Sequence, residues 1–168
     1  MIDIELFEED IKKILKGDSE AVSAHPEITR SDEKKAALDA LAVLATVDSY
    51  QGNIEEILAE DIIALPAALL VYGGATPSGA EAREGAKGNV KVSLNIILVG
   101  QNLAGRGEAS SDVRRILKNV RTVINGMIYR DGNMERTLLW SGEVLSLMNN
   151  QGVCAYEQMY TYKDYFRT

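Results

Sequence analysis

The side chains best suited to chemistry in this 168-residue chain are few and scattered. His25 is the only histidine and Cys154 the only cysteine. A metal centre or a nucleophile–base pair needs several such groups at matched positions, with a partner to orient them. His25 precedes Pro26 in a segment that reads as an exposed loop, with no second histidine or cysteine nearby, so it is expected at the surface. Cys154 lies between Val153 and Ala155 in an apolar strand, far along the chain from His25, and is expected to be a small core residue. A single cysteine excludes an intramolecular disulfide and a cysteine-based zinc site within one chain. The acidic pairs Glu55/Glu56 and Glu60/Asp61 are candidates for acid–base work or calcium, but better suit the wet face of a short helix. Gly105-Arg106-Gly107 ahead of a helix could hold an anion at the helix N-terminus, but the spacing from Gly100 to Gly107 is wrong for a phosphate loop. No Gly-x-Ser-x-Gly elbow, Walker motif, His-Glu-x-x-His or dinucleotide fingerprint occurs. These residues point to a protein that binds rather than catalyses, with no cofactor and no metal.

The length is that of one domain, and the apolar fraction of 46% is enough to build a core without metals or disulfides. The longest apolar run, from Ile62 to Tyr72, is broken by Pro66 and is too short to span a bilayer, so no membrane partner is expected. The N-terminus lacks the basic start and apolar run of a secretory signal, which makes the cytoplasm the expected compartment. Net charge is -7, unevenly spread: residues 1–72 carry 16 acidic and 6 basic side chains, residues 73–168 carry 9 and 12. Overall acidity argues against a nucleic-acid binder. An acidic part and a mildly basic part suit head-to-tail contacts between copies, or contact with charged partners; the alternative is two solvated faces.

The elements that must position these groups follow from periodicity. Ile4, Phe7, Ile11, Ile14 and Leu15 mark one face of a helix over 3–16, capped by Asp3 and closed by Gly17. Residues 17–30 read as a loop, and a second helix follows the Ser31 cap. Ala42 to Tyr50 is a candidate strand, Gln51-Gly52-Asn53 a turn, and Ile54 to Ile63 a short helix ended by Pro66. Ala67 to Tyr72 suits a buried strand, and Gly73 to Gly88 a long loop. Val90, Val92, Leu94, Ile96 and Leu98 alternate through the clearest strand, 89–100, whose apolar Ile97 and Val99 imply cover on both sides at its far end. After the second glycine loop comes an amphipathic helix over about 111–125, capped by Ser110 or Ser111 and closed by Asn125-Gly126. Residues 137–147 and 153–166 suit two antiparallel strands joined at Asn149 to Gly152. Cys154, Tyr156, Tyr160, Tyr162 and Phe166 share one face of the last strand; Tyr156 and Tyr160 are expected in the core, whereas Tyr165 and Phe166 could cover a neighbouring subunit. The order predicts a single α+β domain, a mostly antiparallel mixed sheet with helices packed on one face.

One series of short motifs has a family likeness. It runs Val47-Asp48-Ser49-Tyr50-Gln51-Gly52, then Leu65-Pro66-Ala67-Ala68-Leu69-Leu70-Val71-Tyr72-Gly73-Gly74, then Ile97-Leu98-Val99-Gly100-Gln101-Asn102-Leu103, Ile124-Asn125-Gly126 and Ala155-Tyr156-Glu157. In order and spacing this resembles the tail proteins of Mu-like phages and prophages that act as tail terminators, or tail-completion proteins. The likeness covers about residues 43–168 and the first helix, leaving 17–40 as an insertion. It implies an oligomeric ring, commonly a hexamer, on the head-proximal end of the tail tube. Such a ring ends polymerisation and offers a surface for head joining. The implied partners are further copies of the chain, tail tube and sheath subunits, and a neck or head-completion protein, all in a virion tail assembled in the bacterial cytoplasm. A neck protein of the same phage is the alternative, and a small-molecule-binding enzyme the rival of a different kind. Arg83 and Lys87 in the long loop and Arg106 before the helix could meet acidic surfaces of tube subunits or of an adjacent copy. Arg114, Arg115, Lys118 and Arg121 lie on or beside the polar side of the helix and could face the ring interior or water.

Overall fold

The computed structural model describes residues 3–51, 56, 63–78, 88–101, 106–132, 134–148 and 152–166. The central element is β3 (Gly88–Gln101), paired antiparallel with β2 (Ala67–Ser78) on one edge and with β7 (Val153–Phe166) on the other. β6 (Leu139–Met148) pairs antiparallel with β7, and the short β1 (Thr46–Ser49) runs parallel to β2, giving the order β1-β2-β3-β7-β6. A separate hairpin joins β4 (Ile128–Asp131) to β5 (Met134–Thr137). The described helices are α1 (Ile4–Leu15), α2 (Ser19–Ala24), α3 (Asp32–Ala40) and α4 (Arg106–Ile124), with 3-10 turns at Pro26–Ile28 and Leu41–Val43. This is the α+β fold expected, a mixed and mostly antiparallel sheet with its helices on one face.

Alternation along β3 explains the layering. Val90, Val92, Leu94, Ile96 and Leu98 are all buried on the helix side, beneath Phe7, Ile11 and Ile14 of α1 and Val113, Leu117, Val120 and Ile124 of α4. Gly100 lets α4 approach closely, since a Cβ there would collide with the Val113 side chain. On the reverse face a smaller cluster of Ala67, Leu69, Val99, Val153 and Ala155 packs with Tyr50, Ile63 and Leu65, so the far end of β3 is covered on both sides. The caps of α1 and α3 are those the sequence suggests. Asp3 Oδ1 accepts from Glu5 N and Leu6 N, Ser31 Oγ accepts from Lys34 N, and Gly17 follows α1 with a φ of 73°.

Several boundaries differ from the sequence reading. Residues 17–30 are not a simple loop: Asp18 caps α2 through Glu20 N and Ala21 N, and a 3-10 turn follows. A helix of 6 residues is too short to show a period. The strand expected from Ala42 begins only at Thr46, after a 3-10 turn. Gly73 to Ser78 belong to β2 rather than to a long loop, because the long β3 offers partners to the end and a bulge at Tyr72/Gly74 keeps the ladder in step. α4 starts at Arg106, so Ser110 and Ser111 lie inside it and are not caps; packing of its apolar stripe outweighs the roughly 1 kcal/mol cost of Gly107. The β4–β5 hairpin has no counterpart in the sequence reading, its strands of 4 residues being too short for alternation to register. The turn at 51–53 and the helix at 54–63 fall almost wholly outside the described residues, as do 149–151.

Two buried tyrosines on β7 differ in one respect. Tyr160 Oη donates to Gln158 Oε1 at 2.9 Å, whereas Tyr162 Oη is buried without a hydrogen-bond partner among the described residues. A buried hydroxyl left unpaired costs about 1–3 kcal/mol, and losing one member of a buried pair costs a similar amount. Tyr162→Phe is therefore expected to leave stability unchanged or raise it by about 1 kcal/mol, and Tyr160→Phe to lower it by about 1–3 kcal/mol. Urea unfolding of the two variants checks this; greater destabilisation by Tyr162→Phe would contradict the account.

Candidate interaction surface

β6 is an edge strand, and its outer backbone edge has no neighbour among the described strands. Its pairing with β7 is interrupted between Trp140 and Gly142 and again between Leu145 and Leu147. Register assigns its side chains to two faces. Trp140, Glu143 and Leu145 lie opposite Tyr160, Gln158 and Tyr156 on the helix side; Leu139, Val144 and Leu147 lie opposite Thr161, Glu157 and Ala155 on the reverse side. Six large apolar side chains are exposed among the described residues, and four are on β6: Leu139 at 56%, Trp140 at 38%, Val144 at 49% and Leu145 at 45%. Single exposed apolar residues need no explanation, but four on both faces of one free edge do.

α4 borders the helix-side half of this surface with cations. Arg114 and Lys118 are exposed, and Arg121 is partly so. Their i, i+4, i+7 spacing sets them on one helix face. Arg114 Nε donates to Tyr156 Oη at 3.3 Å. The Arg121 guanidinium stands 5.0 Å from the Trp140 ring centre and 3.6 Å from Glu143 Oε2. Gln158 Nε2 ties the two elements together, donating to Leu117 O at 2.9 Å and to Glu143 Oε2 at 3.2 Å. A buried amide bonded to both helix and edge strand holds α4 at a set distance above β6.

Of the residues singled out by sequence, Arg114, Lys118 and Arg121 share the face of α4 that borders β6 and β7. Arg115 points instead to Asp112, at 3.3 Å. Arg106 opens α4, and Tyr165 and Phe166 pair with Asn89 and Gly88 at the end of β7. Arg83 and Lys87 lie outside the described residues. Sequence reading misses the β6 residues, although Leu139-Trp140-Ser141-Gly142-Glu143-Val144-Leu145-Ser146-Leu147 carries one charge and apolar residues in both phases, which is unusual for an edge. The motif series itself is mostly scaffold. Val47, Ala68, Leu98 and Tyr156 are register partners across four strands, as are Asp48, Leu69, Ile97 and Glu157.

His25 is corrected most sharply. It is buried at 4% exposure, not on the surface. Nε2 faces Asp10 Oδ2 at 2.7 Å, and Nδ1 faces Ile128 O at 2.9 Å and Glu27 Oε1 at 3.3 Å. Glu27 also accepts from Ile128 N and pairs with Arg130. Both ring nitrogens meet acceptors, so the imidazolium satisfies the site better than either neutral tautomer. Burial pulls the His25 pKa down, but the hydrogen bond and charge of Asp10, then those of Glu27, raise it above its ordinary value. Cys154 is buried in the core, where desolvation pushes its thiol pKa up. Among the described residues no group of three or more His, Cys, Asp or Glu is arranged to hold a metal ion, and no helix is long and apolar enough to cross a membrane.

No protein-family model and no curated protein matches the chain. Among solved structures, a chain in the virion of a native gene transfer agent particle is similar, with 11% identity and a TM-score of 0.46 over 83% of this chain and 98% of that one. That likeness is too slight to assign a role.

The His25 cluster has a pH signature. A pKa raised on folding adds stability that is complete below the unfolded value of about 6.5 and is lost as pH rises through the folded value. Unfolding midpoints in urea are therefore expected to fall above neutral pH, and His25→Asn is expected to flatten that decline while lowering stability at acidic pH. An unchanged alkaline slope in the variant would show that another group controls it.

Proposed function

We propose that this protein is a structural component of a Mu-like contractile phage tail, a terminator that forms a ring on the head-proximal end of the tail tube. The observation that carries the docking half of this reading is the edge strand β6, with four exposed apolar side chains, two of them, Trp140 and Leu145, on the side of the α4 cations. Soluble proteins normally blunt such edges, and one left apolar on both faces suits a covered state. The choice of partner rests on the residue series from Val47 to Glu157, whose order and spacing resemble tail terminators.

Capping a polymer requires one face complementary to its end and another that cannot template a further layer. A two-sided protein of this kind needs no bond-making chemistry: assembly and termination are both binding events. The proposed contact residues are Arg83, Lys87 and Arg106 toward the tube or an adjacent copy, Arg114 on the α4–β6 surface, and Tyr165 and Phe166 at the end of β7.

Deleting the gene from its phage or prophage is expected to give tails of uncontrolled length, or headless tails that cannot join capsids, by electron microscopy. Normal-length infectious particles would end the reading. In pull-downs a terminator retains tube or sheath subunits, whereas retention of portal-side proteins alone would make it a neck protein. Arg106→Glu is expected to weaken ring formation or tube capping; unchanged light scattering and tail binding would remove Arg106 from the contact set.

A further inference from the structure

The α4–β6 surface has a counterpart on the same chain. Of the six exposed large apolar side chains among the described residues, Leu6 on α1 is the most exposed, at 62%. It is flanked by exposed Glu5 and by Glu9, which pairs with Lys12, and is preceded by exposed Asp3; exposed Lys13 lies two turns further on along the same face. Leu6 faces outward because Phe7, Ile11 and Ile14 occupy the buried stripe of α1. The α4–β6 surface is complementary in sign to the N-terminal half of α1: Arg114, Lys118 and Arg121 border it, and Glu143, its one acid on β6, is already engaged by Arg121 and Gln158. Trp140 and Leu145 are its exposed apolar side chains. The two surfaces share no residue, so one copy can present both at once.

We infer that the outward face of α1, with Leu6 between Glu5 and Glu9, docks on the α4–β6 surface of the next copy. This rests on the proposed self-assembly and names the contact that would produce it. Two α4–β6 surfaces cannot pair with each other, because a two-fold contact would oppose like cations. The opposite-signed pair instead makes a heterologous, head-to-tail contact, which leaves one surface of each kind free at every step until a ring closes. Leu6 would pack against the exposed parts of Trp140 and Leu145, a tryptophan-centred arrangement typical of binding hot spots.

The test uses the full-length protein, with sedimentation velocity to measure self-association and circular dichroism to confirm folding. Trp140→Ala is expected to weaken association roughly 30-fold or more. Glu5→Lys and Lys118→Glu, each alone, are expected to weaken it about tenfold. An equimolar mixture of the two is expected to recover assembly. The lysine introduced on α1 of one variant then meets the glutamate introduced on α4 of the other, and each unaltered surface meets an unaltered partner. Folded single variants that associate normally, or a mixture that fails to recover, would overturn this contact without touching a ring built by other surfaces. A wild-type chain that stays monomeric yet binds tail tubes through Trp140 would overturn it too, assigning the α4–β6 surface to a tube subunit and leaving the terminator reading intact. A chain that neither self-associates nor binds tubes would remove both.

Discussion

The antiparallel ladder between β3 and β7 is the constraint on which the other elements depend. It runs without interruption from Gly88↔Phe166 to Gln101↔Val153. Because strand side chains alternate, that register puts Val92, Leu94 and Leu98 on the same face as Tyr162, Tyr160 and Tyr156. A slip of one residue would turn every one of these outward and the reverse-face residues inward. The position of α4 follows from it: Val113 settles over Gly100 and Leu117 O meets Gln158. α1 follows as well, since Phe7 packs edge-on against Tyr162 on β7 and Tyr129 on β4, with ring centres 5.4 and 4.8 Å apart.

Polar ties secure what lies beyond the reach of that ladder. Arg136 of β5 donates to Asp164 Oδ1 of β7 through Nε at 3.0 Å and Nη2 at 2.6 Å, both side chains being nearly excluded from water. A buried ion pair of this kind adds little net stability, but removing one partner costs about 3–5 kcal/mol, so it specifies where the small hairpin sits. His25 performs the same service for the helical layer, joining α1 through Asp10 to β4 through the Ile128 carbonyl. Segment 17–40 is part of the helical layer: Ile28 and Ala37, together with Leu41 just beyond it, are buried in the main core.

The sheet ends differently on its two sides. β1 is a strand of 4 residues whose Val47 is buried and whose Asp48 is exposed and 3.6 Å from Lys12, a short and charged edge. β6 has 10 residues and a single charge, and relies on its two bulges alone to discourage indiscriminate pairing. The asymmetry concentrates apolar exposure on β6, on the α4 side and on the reverse side alike, and among the described residues no comparable patch lies at the other edge. Function in this molecule is therefore read from what the fold leaves uncovered, since the residues it buries are explained by packing and by a few satisfied polar links.

Much of the scaffold was legible in the sequence. A period of 3.6 residues in α1 and α4, a period of two in β3, and the caps Asp3 and Ser31 are local signals, carried by neighbours along the chain. The closing strands β6 and β7 were legible for the same reason, as was the burial of Cys154. Elements shorter than about two turns or two alternations, such as α2 and the β4–β5 hairpin, leave no such trace. Nor was the candidate surface visible, because exposure on β6 depends on which strand ends the sheet, and strand order is a long-range property. His25 shows the same division. No second histidine or cysteine lies near it along the chain, and Glu27 is only two residues on, but the fold is what brings Asp10 to one ring nitrogen and Ile128, 103 residues away, to the other. The sequence by itself determined the elements and their buried faces, through local periodicity. Only the tertiary structure decided which edge stays open and which charges meet, because both depend on contacts between residues far apart in the chain.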